Sequence, residues 1–152
     1  ILYLIMTRAL TGSELAIQIN ENFPNTVDEY TDISCYIQLN DLTKVAKFLK
    51  ETPSLNFAFL RSVSAVDYID HFEIVYHLLS MRLNLSAIVK TKCSGREDLS
   101  VPSLVSVWRG ANLQEREIWD LMGIRFDGHP NMKRIMLWEG FQGHPLRKDF
   151  LR

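Results

Sequence analysis

The chain has 152 residues, of which 47% are hydrophobic, with seven glycines and five prolines. This length and composition exclude a disordered or fibrous chain and suit one domain with its own apolar core. A net charge of −1 excludes a global electrostatic attraction to nucleic acid or anionic lipid, although a local basic face is still allowed.

The N-terminus and the two cysteines exclude further classes. The apolar run from Ile1 to Met6 is far shorter than the roughly 20 residues of a membrane span, so we expect a soluble protein. Cys35 and Cys93 lie in separate strand-like runs without a C-x-x-C pair. This spacing favours free buried thiols, leaves a cross-sheet disulfide open, and argues against thiol-based redox or zinc chemistry.

The first part of the chain predicts two helices and five strands. Ser13 is expected to cap a helix over residues 12–22, which ends at Pro24. A second helix is expected between a cap at Asn40-Asp41 and a stop at Thr52-Pro53. The predicted strands cover residues 26–30, 33–39, 57–67, 72–79 and 83–92.

Short connections between the last three strands predict antiparallel hairpins, and the polar segment 95–102 predicts a loop. The fold class that follows is α+β: a two-layer sandwich in the order helix-strand-strand-helix-strand-strand-strand, with a mixed sheet. A short helix and an irregular extended C-terminal arm come after it. We expect a core domain at residues 1–107 and a helix with a partner-binding arm at residues 108–152.

The helix after Trp108 is specified at both ends. Asn112 and Glu115 have the spacing of a capping box, and Gly123 suits the left-handed residue that ends a helix. Arg116 and Asp120 are four residues apart and are expected to pair on the exposed side. Glu115 is therefore interpreted as a capping residue.

The arm that starts at Ile124 is irregular, basic and rich in large apolar side chains. Residues 125–152 contain six Lys or Arg and three Asp or Glu. The arm also holds a set of large apolar residues that should lie against this domain or another subunit, namely Ile135, Met136, Leu137, Trp138, Phe141 and Phe150. Trp, Phe and Arg on an extended segment are typical anchors of protein–protein interfaces.

Other chemistry has weaker support. His129 and His144, each in a Gly-His-Pro step, could bind a metal or act in catalysis, but no third ligand has a recognisable spacing, so a structural role in tight turns is favoured. Basic pairs near Trp138 could bind nucleic acid, but acids are interleaved with them. Glycine-rich phosphate loops and a G-x-S-x-G nucleophile are absent from the sequence.

The C-terminal 60% of the chain resembles a known family. The run Glu115-Arg116-Glu117-Ile118-Trp119-Asp120-Leu121-Met122-Gly123-Ile124, with Trp108 before it, and the run Gly143-His144-Pro145-Leu146-Arg147-Lys148-Asp149-Phe150 carry the likeness. Gly128-His129-Pro130, Arg134-Ile135-Met136 and, upstream, Asp67-Tyr68 with residues 72–78 add to it. Together they resemble the 30 kDa subunit family of respiratory complex I, NADH:quinone oxidoreductase, which has members in both the bacterial and the plastid-type enzyme.

The resemblance implies a hydrophilic peripheral-arm subunit of a proton-pumping complex, packed against the 49 kDa-type subunit near the quinone module. It implies no cofactor on this chain, while NADH, FMN, iron–sulfur clusters and quinone are used by other subunits. It also implies a hetero-oligomer that meets the membrane only through the complex, at the cytoplasmic face of the bacterial inner membrane or its matrix or stroma equivalent. Family members usually continue beyond the position of Phe150, so a truncated chain is expected.

Alternatives to this function are an equivalent module of a membrane-bound hydrogenase or ferredoxin-linked complex, and a histidine-dependent metalloenzyme. No nucleic acid, catalytic residue or metal ligand is expected. The residues expected to bind the partner or to structure the arm are Trp108, Glu115, Arg116, Glu117, Asp120, His129, Arg134, Trp138, His144, Arg147, Lys148 and Asp149.

Overall fold

The computed structural model describes residues 6–151. In chain order the elements are β1 (Arg8–Ala9), α1 (Gly12–Asn22), β2 (Val27–Tyr30), β3 (Cys35–Ile37), α2 (Leu42–Glu51), β4 (Phe59–Asp67), β5 (His71–Ser80), β6 (Leu85–Ser94), β7 (Ser100–Pro102), α3 (Ala111–Met122) and β8 (Arg125–Asp127). Among these residues no helix has the length and apolar character that crossing a membrane requires. All of the N-terminal apolar run except Met6 lies outside the described part.

Six strands form the main sheet, in the order β2-β3-β6-β5-β4, with β1 also beside β6. β3 and β1 run parallel to β6, and the other neighbours are antiparallel. The predicted mixed sheet and both predicted hairpins, β4–β5 and β5–β6, are therefore confirmed. Cys35 and Cys93 are buried and free.

Helices α1 and α2 cover one face of this sheet. Alternate residues of β5 point to that face, and Phe72, Ile74 and Tyr76 are almost completely buried there in one apolar cluster with Leu15 of α1 and Val45 of α2. Each fully buried aliphatic or aromatic side chain of this size contributes roughly 1.5–3 kcal/mol. The two-layer α+β architecture is thus the predicted one, because a half-apolar sheet must bury one face.

Both predicted helix caps were wrong in detail. Thr11, not Ser13, caps α1: its hydroxyl accepts the Glu14 N–H at 3.2 Å, and the Glu14 carboxylate accepts the Thr11 N–H at 2.8 Å. Thr11 has the extended backbone that a cap needs, whereas Ser13 is already helical. Asp41 precedes α2, but its backbone is helical too and its side chain makes no capping bond.

The segment 95–102, expected to be a loop, contains a strand. Ser100–Pro102 form β7, which pairs in parallel with β8 (Arg125–Asp127), the first segment after α3. Helix α3 is therefore the crossover of a small β-α-β unit, and β8 fixes where the arm begins. Sequence patterns missed this pairing because each strand has only three residues.

Helix α3 also covers the open edge of the main sheet. β4 is the edge strand, and its Val63 N–H donates to the Gln114 Oε1 atom of α3 at 2.6 Å. Ile118 and Met122 belong to the same apolar cluster as the sheet. A division of the chain at residue 107 stays a prediction, and the core extends across that position.

Candidate functional site

The carboxylate of Asp120, in the last turn of α3, organises the middle of the arm. Asp120 is fully buried, and its Oδ2 accepts three consecutive backbone N–H groups, those of Ile135 at 3.0 Å, Met136 at 2.8 Å and Leu137 at 3.0 Å. Its Oδ1 lies 2.6 Å from Nη1 of Arg134. The expected Asp120–Arg116 pair on the helix surface was therefore wrong, because Asp120 faces inward.

The environment of Asp120 keeps this carboxylate charged. Burial alone would raise its pKa, but the three N–H groups and Arg134 outweigh that effect and lower the pKa to about 2. The carboxylate therefore stays ionised over the physiological range and remains an acceptor for all four donors.

Two arginines close the arm into a loop between Lys133 and Gly143. Arg134 donates to the carbonyls of Phe141 at 2.9 Å and Gly143 at 3.2 Å. Arg116 donates to the carbonyls of Lys133 and Arg134, both at 3.0 Å. Five donors in a fixed fork make arginine suited to binding several carbonyls at once. The backbone polar groups of this loop therefore turn toward α3.

The two histidines of the Gly-His-Pro steps are bound to backbone. His129 Nε2 donates to the Asn112 carbonyl at 3.0 Å, and its Nδ1 accepts the Asn131 N–H at 3.0 Å. His144 Nδ1 donates to the Asp120 carbonyl at 2.9 Å. Both rings thus tie the arm to α3, as the turn interpretation expected. Within residues 6–151 no three His, Cys, Asp or Glu side chains are grouped to hold a metal ion.

A second ion-pair network holds the end of the arm at the β4–β5 hairpin. Arg96 binds both carboxylate oxygens of Asp67 and lies 2.9 Å from Oδ2 of Asp149. Arg147 forms a two-pronged contact with Asp149, 2.8 Å for each oxygen, and donates to the Arg96 carbonyl. The Lys148 backbone N–H donates to Asp67 at 2.9 Å.

The charges of this network are stabilised by one another. The Arg96 hydrogen bond is the main reason that the pKa of Asp67 lies well below its usual range, and Arg147 acts in the same way on the pKa of Asp149. Both guanidinium groups also lie over the ring of Phe72, at 4.6 Å and 5.3 Å from its centroid. The end of the arm is thus fixed to the core.

Glu115 and Trp108 are buried structural residues. Glu115 does not cap its own helix, as had been expected. Its carboxylate accepts the hydroxyl of Ser103 at 2.6 Å and the N–H of Leu104 at 2.7 Å, across the β7–α3 connection. Burial raises its pKa to about 7, although both hydrogen bonds act in the opposite direction. Trp108 Nε1 donates to the Phe57 carbonyl at 2.9 Å.

Only a part of the expected set faces outward. The side chains of Glu117, Lys148 and Trp138 are exposed, and 70% of Trp138 is accessible. Trp138 makes an edge-to-face contact with Phe141, with the ring centroids 4.8 Å apart. The structure therefore divides the expected residues into buried supports of the arm and a few exposed side chains.

Three supporting residues were not predicted from the sequence as site residues. Asp67 belongs to the family resemblance alone, and Arg96 sits in a polar segment whose pattern indicates nothing beyond a loop. Trp119, which lies between Arg134 and His144, belongs to the signature run without a predicted role of its own. Arg96 is 53 residues from Asp149, so no local spacing could have indicated that pair.

Comparison with protein families matches residues 35–152 to the model described as "Respiratory-chain NADH dehydrogenase, 30 Kd subunit". An NADH-quinone oxidoreductase subunit of Rhizobium meliloti (strain 1021) is 47% identical over 112 residues, 72% of this chain and 60% of that protein. The NADH-quinone oxidoreductase subunit of the same designation from Azorhizobium caulinodans is 40% identical over 148 residues, 95% of this chain and 65% of that protein. The chain thus spans about 60% of the length of the first of these relatives.

Among solved structures, a chain in the "Structure of the membrane-bound sulfane sulfur reductase (MBS), an archaeal respiratory membrane complex" has the same fold. The TM-score is 0.73 at 27% sequence identity, and the match covers 91% of this chain and 85% of that chain.

Proposed function

This chain belongs to the 30 kDa subunit family of respiratory-chain NADH dehydrogenase, and from this premise we propose that it is a structural and assembly subunit of a proton-pumping NADH:quinone oxidoreductase. It packs against the 49 kDa-type subunit in the peripheral arm of the complex, near the quinone module. The chain meets the membrane through the complex, on the cytoplasmic face or its organellar equivalent. Residues 108–152 form its partner-binding unit.

One observation carries this proposal: the arm is rigidly held to its own domain, yet it leaves a row of large apolar side chains in solvent. Ile135, Met136 and Trp138 expose 38%, 64% and 70% of their surfaces. Asp120 fixes the backbone of the first two through hydrogen bonds to their N–H groups. Preorganised aromatic and Met side chains of this kind are typical anchors of a protein interface.

The chemistry of the site supports a role without a cofactor on this chain. The buried arginines and carboxylates are paired with each other or with backbone, and each pair joins the arm to α3 or to the sheet. Breaking such pairs singly is costly, which suits groups that hold a surface in place. NADH, FMN, iron–sulfur clusters and quinone are therefore assigned to other subunits of the complex.

The test is co-purification of the full-length chain with the large subunit of its complex. Met136→Ser and Trp138→Ser should weaken that association without lowering the melting temperature of the isolated chain. Met81→Ser is the matched control, because Met81 is 66% exposed in the β5–β6 turn, far along the chain from the arm. Normal assembly of the Met136 and Trp138 variants, or substrate turnover by the chain alone, would contradict the proposal.

A second candidate is the equivalent module of a membrane-bound hydrogenase or ferredoxin-linked complex. The observation in its favour is the shared fold with a chain of an archaeal respiratory membrane complex that is named as a sulfane sulfur reductase. The same co-purification separates the two, since an NADH-binding flavoprotein accompanies the chain only in the first case.

A further inference from the structure

A groove beside the exposed row of the arm carries unpaired positive charge. It has a volume of about 450 Å³ and is lined by Arg116, Trp119, Met132, Lys133, Arg134, Leu137, Glu139 and Gly140. Its floor is half-buried aromatic and aliphatic surface, while Lys133 and Glu139 stand exposed at its rim. The groove therefore combines apolar contact area with charged groups.

The cations of the groove differ in how they are compensated. Arg134 is neutralised by the buried Asp120 carboxylate, and most of its donors are used on backbone carbonyls. Arg116 donates only to carbonyls, and Lys133 makes no side-chain hydrogen bond within residues 6–151. No carboxylate in that part of the chain forms an ion pair with either one. Glu139 is the single acid on the lining.

We propose that this groove receives a carboxylate side chain, Asp or Glu, borne by a segment of the partner subunit, with Arg116 and Lys133 as its recognition groups. The assignment rests on the proposed function, because it needs a partner at the arm. Arg116 is already positioned by two hydrogen bonds to backbone, so its remaining donors point with little loss of side-chain entropy. Lys133 adds a flexible second charge at the rim.

The position of the groove fits one continuous interface. Leu137 lies on its wall, between the exposed Met136 and Trp138, so a partner that covers those two side chains lies over the groove as well. Water is then excluded, and an unpaired Arg116 would be costly there unless the partner supplies an opposite charge. Charge complementarity therefore selects an acidic segment.

Charge reversal at Lys133 tests this proposal in the assembled complex. Lys133→Glu should weaken the affinity of the full-length chain for the large subunit by roughly tenfold or more, and should flatten the dependence of affinity on salt. Lys47→Glu is the control, because Lys47 is an exposed lysine of α2 on another surface. Wild-type affinity of Lys133→Glu would overturn the groove assignment while leaving the proposed function in place.

Carbodiimide cross-linking gives an independent measurement, because it joins an amine to a carboxylate only when they touch. Mass spectrometry of the wild-type complex should find Lys133 linked to an Asp or Glu of the large subunit. A link from Lys133 to Glu139 alone would overturn the proposal. So would binding to vesicles that needs phosphatidylserine and is lost in Lys133→Glu, since the anion would then be a lipid phosphate. Failure of the wild-type chain to bind the large subunit would instead reject the proposed function.

Discussion

Asp120 and Arg134 form a salt bridge of 2.6 Å between the last turn of α3 and the start of the exposed loop, and the carboxylate is completely buried. The same carboxylate accepts the N–H groups of residues 135–137, so one side chain sets both the charge and the path of the arm. A change at this position therefore affects the arm more than the sheet.

Asp120→Asn should lower the free energy of unfolding by about 2–4 kcal/mol, toward the lower end for a broken buried pair because Arg134 is partly exposed. The amide keeps the shape but removes the counter-ion, and its NH₂ group meets donors. Urea denaturation measures the loss, and hydrogen exchange should show faster opening at residues 135–137. Glu117→Gln, an exposed carboxylate of the same helix, is the control. Equal losses in the two variants would refute this account.

Glu115 should make stability depend on pH in the neutral range. Its pKa is raised from 4.5 to about 7 in the folded chain, so the folded state holds a proton that the unfolded state releases. The stabilisation is complete below pH 4.5 and is lost as the pH rises through about 7, by on the order of 3 kcal/mol. Asp120, whose pKa is lowered to about 2, acts only in acid, where stability falls as it protonates.

The measurement is urea unfolding between pH 5 and pH 8, a window that spans the Glu115 transition. Glu115→Gln cannot titrate and should remove most of the decline with rising pH. Glu117→Gln should leave it unchanged. A decline of the same size in Glu115→Gln would show that another group causes it.

Gly123 ends α3 with a left-handed backbone, φ 75°, and a Cβ there would lie 2.7 Å from Cδ2 of His144. Gly123→Ala should therefore displace His144 from the Asp120 carbonyl as well as strain the backbone. Gly128→Ala isolates the backbone effect, because Gly128 has φ 82° and an added Cβ would have no neighbour within 4 Å. We expect a loss of about 1–2 kcal/mol for Gly128→Ala and a further 1–3 kcal/mol for Gly123→Ala, measured by thermal unfolding.

Arg147→Ala should release the end of the arm and cause loss of the subunit from the complex. The substitution leaves Asp149 with Arg96 alone and removes the donor to the Arg96 carbonyl. Native gel electrophoresis measures assembly, and limited proteolysis should cut the free chain after residue 143. Arg125→Ala is the control, since Arg125 is exposed in β8 and its side chain forms no ion pair within residues 6–151. Unchanged assembly with reduced turnover would indicate a catalytic role instead.

Local patterns were sufficient for the elements of the main domain. The span of α1, Gly12–Asn22, agrees with the prediction at both ends, since a polar cap region precedes an apolar stripe and Pro24 follows. The longer strands β4, β5 and β6 were found within two residues because each is long enough to show its period. β7 and β8 were missed, since three residues carry no usable period.

The amino-acid sequence alone determined the layers of the fold, through apolar periodicity, and the family, through the order of its Trp, Arg, Gly and His motifs. Only the tertiary structure decided which charged groups meet: Asp120 with Arg134 instead of Arg116, Glu115 with Ser103 and Leu104, and Asp67 and Asp149 with Arg96. The physical reason is desolvation. Packing decides which carboxylates lose water, and a carboxylate without water must take donors from whatever lies beside it, however distant in the chain.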